Sequence, residues 1–531
     1  MANLFIRKDL KTLIAESNPA ESNPNVKAQG EPPELKRSLT AFNLVMIGIG
    51  AIVGAGIFSL TGTAAAYYAG PGIVYSFMIG GLLCAFSGLC YAEMAAMVPV
   101  AGSAYTYSYA TLGELAAWII GWDLVLEYAF GAVTVSASWS GYFFSLVTKT
   151  LGIQMGDELI RFTKGPWELV TLSNGTEVFG LWNLPASVVA ITMSMVLCRG
   201  IHESAWINNL IVLLKISIIL GFIALGWGVV DPLHWVGNPA MTGFGRLVPP
   251  QGLAVRNGNA FLSFGWPGVL TGAGVVFFSY IGFDAVSTTA QECRNPARDL
   301  PIGILGSLVI CTILYILMAL VITGVVPYQE LGVPDPVAVG VDRIVALRGW
   351  PIMTQKIIGF VVKVGALAGL TSVILVMMLG QTRIFYAMAK DGLLPWFDRL
   401  NSHSSPYFAA ITTGIFVSIC AGLMPMSLVG ELVSIGTLLA FVLVCVGIPI
   451  LRKRSPEVHR PFKTPYYWIV APVGAISCFW VMTGLPRDTW IRLVVWLILG
   501  FIIYFSYGIK NSRLRANQKN KGSPLLAQST R

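Results

Sequence analysis

Charge is what this 531-residue chain has least of: Asp, Glu, Lys and Arg together make up 11% of it, against about 25% in soluble domains. Hydrophobic residues reach 55% and mean hydropathy is +0.70. That deficit excludes a string of soluble domains and implies a polytopic membrane protein. Histidine is nearly as scarce. The four present, His202, His234, His403 and His459, are scattered through loops and helix ends, so no metal site is expected. The eight cysteines fall in apolar runs or short connectors, which argues against a disulfide framework. The N-terminus lacks an apolar core followed by small residues, so no cleaved signal peptide is expected. A net charge of +9 would suit a nucleic-acid partner. Its distribution excludes that reading, because the basic residues concentrate on one side of the apolar runs, the positive-inside bias.

What is present is a series of long apolar runs. A spanning helix needs about 20 such residues. Runs near 42–68, 72–97, 114–148, 183–198, 205–230, 267–290, 301–326, 356–382, 409–425, 429–450, 467–484 and 489–508 predict an all-α membrane protein with twelve spans. Twelve spans put both ends on one side. Lys36-Arg37, Arg452-Lys453-Arg454 and the basic tail after Lys510 place that side in the cytoplasm. Residues 149–182, 231–266 and 327–355 are then external, the first carrying a formal sequon, Asn174-Gly175-Thr176. Residues 291–300, 383–408 and 451–466 are cytoplasmic connectors. Three parts are expected: a polar segment at 1–37, a transmembrane domain at 38–508 and a cytoplasmic tail at 509–531. In the first part Leu4, Phe5, Ile6, Leu10, Leu13 and Ile14 form an apolar stripe against Arg7, Lys8 and Lys11. Such a stripe suits either a helix lying on the membrane face or a disordered tail.

Two of the runs are interrupted. The first contains Gly48, Gly50, Gly54 and Gly56 within GIGAIVGAGIF at 48–58. Four glycines weaken a helix, and backbone freed at membrane depth is tolerated only where it lines a cavity or is covered by protein. The sixth opens on Trp266-Pro267-Gly268 and continues through Gly272 and Gly274. It is broken at Phe277-Phe278-Ser279-Tyr280-Ile281-Gly282-Phe283-Asp284. Spans one to five (42–230) and six to ten (267–450) therefore each begin with an interrupted helix. Five being odd, the two groups are inverted, and 467–508 adds two accessory spans. Paired broken helices at matching positions point to a transporter site at the bilayer midplane. A half-helix N-terminus offers free N–H groups to a carboxylate, and the C-terminal end of the other half offers carbonyls to an ammonium. One site with both reads an α-amino acid head group. Small-residue helix packing is the competing explanation of the glycines. A dinucleotide site is excluded, since no strand precedes them and no acid follows about 20 residues on.

These stretches resemble the amino acid–polyamine–organocation superfamily, and within it the cationic amino acid transporter family. The resemblance runs from Leu35-Lys36-Arg37-Ser38-Leu39 to about residue 508. It rests on GIGAIVGAGIF at 48–58, FFSYIGFDAVSTTAQE at 277–292 with NPARDLP at 295–301, and GQTRIFYAMAKDGLLP at 380–395. The twelve-span length is similar to the shorter, bacterial-type members, which implies a bacterial inner membrane. The resemblance also implies the inverted five-plus-five fold. By motif position it places the substrate carboxylate on the amides of Gly54, Ala55 and Gly56, and its ammonium on the carbonyls of Ile52, Phe278, Ser279 and Ile281. No cofactor is implied.

Ionisable residues inside the spans come next. Lys215 lies mid-span, far from either end, where a lysine costs roughly 3 kcal/mol on insertion scales. Burial lowers a lysine's pKa, so proton binding there is physically sensible. The resemblance adds that a lysine at this place in sodium-independent members substitutes for a sodium ion. It would tie a carbonyl near Gly50 or Val53 to Thr371 or Ser372; a permanently charged strut is the alternative. Lys363 is close enough to a span end to snorkel. Glu127, one turn from Asp123, either orders the bundle or accepts a proton. Asp284 either caps the inner half of the sixth helix or touches substrate. Glu93, Glu292 and Arg294 are interfacial charges or inner-gate pairs. The expected function is import of amino acids, as small-molecule substrates, by proton symport and alternating access. An amino acid or polyamine exchanger is the alternative within the class. A channel or an intramembrane enzyme is remote, for want of pore-lining polar rings or a catalytic set. Whether the substrate is neutral or cationic stays open.

Overall fold

The computed structural model describes residues 4, 6–8, 39–98, 103–172, 174–199, 205–256, 259–289, 293–399 and 406–516. The chain is helical almost throughout. It enters through α1 (Ala41–Ile52), α2 (56–69), α3 (Ile73–Met97), the short α4 (Ser103–Thr111) and α5 (Glu114–Thr150). It continues through α6 (Leu184–Cys198), α7 (Ala205–Trp227), α8 (Gly265–Val276), the single turn α9 (Ala285–Thr288) and α10 (Pro296–Val325). The remainder is α11 (Pro336–Leu347), α12 (Ile352–Lys390), α13 (Tyr407–Leu423), α14 (Met426–Arg454), α15 (Tyr467–Thr483) and α16 (Arg487–Ile503). Among the described residues, eight helical runs are long and apolar enough to cross a membrane, and α6, α13 and α15 are shorter apolar helices. The run Ala41–Met97 counts as one of the eight although it is broken inside.

Where apolar surface faces lipid rather than water, packing relies on small residues and close backbone approach. An added Cβ at Gly414 of α13 would lie 2.3 Å from Ser194 Cβ of α6, and one at Gly88 of α3 would lie 2.8 Å from Leu308 of α10. The pairs α3 with α10, α6 with α13, and α5 with α12 are among the most extensive helix contacts. Two connectors differ from expectation. Residues 383–390, expected in a connector, continue α12, because Arg383, Met388, Ala389 and Lys390 are strong helix formers. Likewise α14 runs through Arg452-Lys453-Arg454, whose positive charge complements the C-terminal end of a helix. The segments expected to be external carry two antiparallel hairpins, β1 (Leu169–Thr171) with β2 (Glu177–Phe179) and β3 (Gly252–Arg256) with β4 (Asn259–Ser263), as well as α11.

Residues 6–8 carry no helix. Glu114 N donates to Ile6 O at 2.8 Å and Leu115 N to Leu4 O at 3.2 Å. Phe5, Leu10, Leu13 and Ile14 of the apolar stripe lie outside the described residues. Lys8 Nζ reaches Asp391 Oδ1 at 2.5 Å, and Tyr105 OH donates to Asp391 Oδ2 at 2.6 Å. Glu114, fully buried at the start of α5, accepts from Tyr109 OH, Tyr504 OH, Arg515 Nε and Ser512 Oγ. Segments near both chain ends are thus clasped to α5 and to the loop after α12.

Candidate functional site

The first break is made by Val53, whose ψ of 93° leaves the helix after Ile52. Gly54 and Ala55 turn the chain into α2, which opens on a π-type turn at Gly56–Leu60. The first N–H groups of any helix have no intrahelical acceptor, so the amides of Gly54, Ala55 and Gly56 form the positive end of α2. The second break follows a 3₁₀ turn at Phe277–Tyr280: Ile281 is extended and Gly282 has φ +113°. That backbone favours glycine, and an added Cβ at Gly282 would also lie 2.9 Å from the carbonyl carbon of Ala51. An added Cβ at Gly56 would lie 2.3 Å from Ser279 Cα. The two breaks therefore interlock backbone to backbone, at Gly282 on Ala51 and at Ser279 on Gly56. Gly48 is instead a packing glycine, set against Ser307 and Val286.

Tyr315, on α10, joins the two breaks. Its hydroxyl lies 2.9 Å from Ile52 O and 2.9 Å from Ser279 O. Both are carbonyls that the family resemblance assigns to an ammonium group. Phe278 O accepts from Ile281 N at 3.2 Å. The sequence contains no marker for Tyr315, which is an ordinary aromatic in a long apolar span. Its ring packs against Phe77 and Tyr280, at 5.4 and 5.5 Å between centroids.

Lys215 is fully buried on α7. Its Nζ donates to Gly50 O at 2.8 Å and to Val53 O at 3.2 Å, on the carbonyl end of α1. The aliphatic stem lies across Gly369 of α12, where an added Cβ would come within 3.1 Å of Lys215 Cγ. Farther along α12, Thr371 Oγ1 donates to Leu367 O and accepts from Trp139 Nε1, while Ser372 Oγ donates to Gly369 O. Val373, one residue on, faces Gly54: an added Cβ there would sit 3.1 Å from its Cγ1.

The acidic residues sort differently from the sequence expectation. Asp284 does not cap the turn that follows it; its side chain makes no cap hydrogen bond. Its main-chain carbonyl accepts from Ser287 N and Oγ instead, and Tyr128 OH donates to Oδ2 at 2.5 Å. The reason is that Asp284 is itself in helical conformation, φ −68° and ψ −26°, whereas a capping side chain requires an extended residue. Glu127 is buried opposite Asp284 and near Thr437. Asp123, one turn earlier, is buried with no hydrogen-bond partner among the described residues. Glu93 takes both Arg452 Nε at 2.9 Å and Nη2 at 2.6 Å, and also Thr464 N at 2.8 Å. That pairing holds the loop after α14 to α3. Glu292 lies outside the described residues, and Arg294 N donates to Leu39 O. Lys363 donates to Thr150 Oγ1 and to Asp342, a structural tie at the end of α5.

Amide and carbonyl helix ends beside a buried ammonium have the donors and acceptors to bind a small zwitterion. Comparison with known proteins identifies the family. The family model described as "Amino acid permease" matches residues 39–506. The chain is 40% identical over 515 residues to the branched-chain amino acid permease BcaP of Bacillus subtilis, covering 96% of this chain and 99% of that one. It is 38% identical over 516 residues to the methylthioribose transporter of the same organism, covering 97% and 100%. It is 33% identical over 460 residues to the mitochondrial cationic amino acid transporter 3 of Arabidopsis thaliana, covering 86% and 69%. The chain therefore belongs to the amino acid permease family of the amino acid–polyamine–organocation superfamily, a family of membrane transporters rather than enzymes.

Proposed function

We propose that the protein imports a neutral amino acid by proton symport, alternating access to the interlocked breaks. The observation that carries this reading is the contact of Ser279 with Gly56 and of Gly282 with Ala51, with Lys215 fixed on the carbonyls of the first break. In the proposed binding mode the substrate carboxylate takes the amides of Gly54, Ala55 and Gly56. Its ammonium takes the carbonyls of Ile52, Phe278, Ser279 and Ile281. Lys215, through Gly50 and Val53, makes the rigidity of the break depend on protonation. Thr371 and Ser372 support that region of α12, and Glu127 with Asp284 orders the opposite side. Val373, against Gly54, makes that wall apolar, which favours a neutral over a cationic side chain. The branched-chain permease among the relatives accords with this preference.

The twelve-span arrangement with an inverted repeat is part of the proposal. It is supported by which helices touch. Under the repeat α3 is equivalent to α10, α5 to α12 and α6 to α13, and the two breaks to each other. Each of these four pairs is in direct contact, as expected of elements close to a pseudo-two-fold axis; α7 and α14, the remaining pair, are not among the extensive contacts. The basic connectors support a cytoplasmic position for both termini, and the bacterial relatives support a plasma membrane.

The test is uptake by the full chain in proteoliposomes across a panel of neutral and basic amino acids, with and without an inward proton gradient. Accumulation of a neutral amino acid only with the gradient is expected. Uptake that ignores the gradient but requires internal amino acid would replace symport by exchange. Failure to take up any amino acid while methylthioribose is carried would overturn the substrate class.

A further inference from the structure

Between α7, α11 and the N-terminal part of α12 a groove of ≈ 320 Å³ opens on the exposed apolar surface of the helices. Phe222 and Ile344 line its interior, Leu214, Ile357 and Val361 its lip, and Ser217 contributes the single hydroxyl of the lining. The lip residues are 42%, 54% and 54% exposed. The groove exists because α7 carries glycine at 221, where an added Cβ would meet no atom within 4 Å. Neighbouring glycines are filled: an added Cβ at Gly365 would strike Ile218 at 2.0 Å.

One end of the groove is cationic. Arg348, half-buried at the C-terminal end of α11, donates Nε and Nη2 to Leu225 O at 3.2 and 2.7 Å. Its guanidinium lies 5.3 Å from the Trp350 ring centroid. Leu225 also lines the groove, so the carbonyl that orients the arginine belongs to the groove's own wall. A guanidinium held this way is pre-organised to receive phosphate oxygens. Lys356, exposed in the first turn of α12, adjoins the lip residue Ile357.

An apolar slot with a fixed cation at one end matches an anionic amphiphile. Water is a poor occupant, since it needs two to four polar partners. A neighbouring helix, about 10 Å across with its side chains, needs a broad face rather than a slot. We propose that this groove holds one acyl chain of an anionic phospholipid whose phosphate sits on Arg348. The occupied groove braces α7 against α12. Those two helices also meet at Lys215 and Gly369, so the lipid sets how firmly the lysine is pressed towards the first break. The binding claim rests only on the protein being membrane-embedded; the topology proposed above decides the leaflet.

The test is native mass spectrometry of the purified full chain, titrated in parallel with phosphatidylglycerol and phosphatidylcholine of identical chains. The wild type should hold one phosphatidylglycerol roughly fivefold more tightly than phosphatidylcholine, the effect of one added charge pair near a membrane surface. Gly221→Phe should fill the groove and lose that lipid. Gly221→Leu, a smaller filler, should weaken it if the larger variant fails to fold. Arg348→Gln should keep a lipid but lose the headgroup preference. Unchanged retention in a folded Gly221 variant overturns the proposal. So does equal binding of the two lipids by the wild type. A doubled mass that the Gly221 variants dissociate would assign the groove to a second copy and also overturn it. None of these readouts depends on transport, so they stand or fall apart from the symport reading.

Discussion

Replacing Lys215 by Met keeps a stem of similar length against Gly369 and removes only the ammonium. The carbonyls of Gly50 and Val53 then lose a charged donor at 2.8 and 3.2 Å. Hydrogen bonds to charged groups contribute ~1.5–3 kcal/mol each, so the gross loss is about 3–6 kcal/mol. Against it stands the removal of a buried charge, roughly 3 kcal/mol on insertion scales. The net effect on stability is therefore small, on the order of 0–3 kcal/mol, and thermal unfolding should move by only a few degrees. Coupling should respond far more, because the charge that strengthens these hydrogen bonds belongs to the protonated form alone. Even about 1.4 kcal/mol of lost coupling is a tenfold change. The assay is accumulation in proteoliposomes with and without an imposed pH gradient, alongside substrate counterflow. Stimulation by the gradient should fall at least about tenfold while slower counterflow persists. A Lys215→Met protein that still accumulates substrate with the pH gradient refutes the assignment.

Gly56→Ala places a methyl 2.3 Å from the backbone of Ser279, which cannot retreat without opening the second break. Overpacking should cost about 1–3 kcal/mol, measurable as a lower unfolding midpoint, and substrate binding should be lost. Wild-type affinity in this variant would separate the interlock from the site. Asp335, in the segment between α10 and α11, is buried with Oδ2 lacking a hydrogen-bond partner among the described residues, and burial raises its carboxyl pKa. A carboxyl raised in the folded state favours folding below its unfolded pKa of about 3.9, and that contribution is lost as pH rises through the folded value. Asp335→Asn should accordingly stabilise the protein at neutral pH and show a flatter dependence of unfolding midpoint on pH. An unchanged profile would place the carboxylate in water.

The chemistry of the breaks was legible because it is written in unusual residues. Glycines in an apolar run, and a lysine among leucines and isoleucines, are costly unless something compensates them, and cost is visible in a sequence. Tyr315 was not legible. It obeys every local rule of a membrane helix, and its role comes from α10 crossing both breaks at once. The capping alternative for Asp284 failed for a related reason: the residue type suits a cap, but its backbone is in helical conformation, which sequence spacing does not reveal. The continuation of α12 to Lys390 was hidden by its charges, which look like a connector yet are good helix formers. The clasp of Lys8 and Asp391 joins positions too far apart in the chain for any periodicity to relate them.

A phenol has one proton, and the hydroxyl of Tyr315 stands equally close to two carbonyls. It can satisfy Ile52 or Ser279 fully at any instant, but not both. The two acceptors belong to different halves of the repeat proposed above, so a movement that separates the halves forces the hydroxyl to remain with one of them. An arriving ammonium brings three donors. In the proposed binding mode it serves the carbonyl that the phenol does not, and the tyrosine is left free to follow whichever half moves.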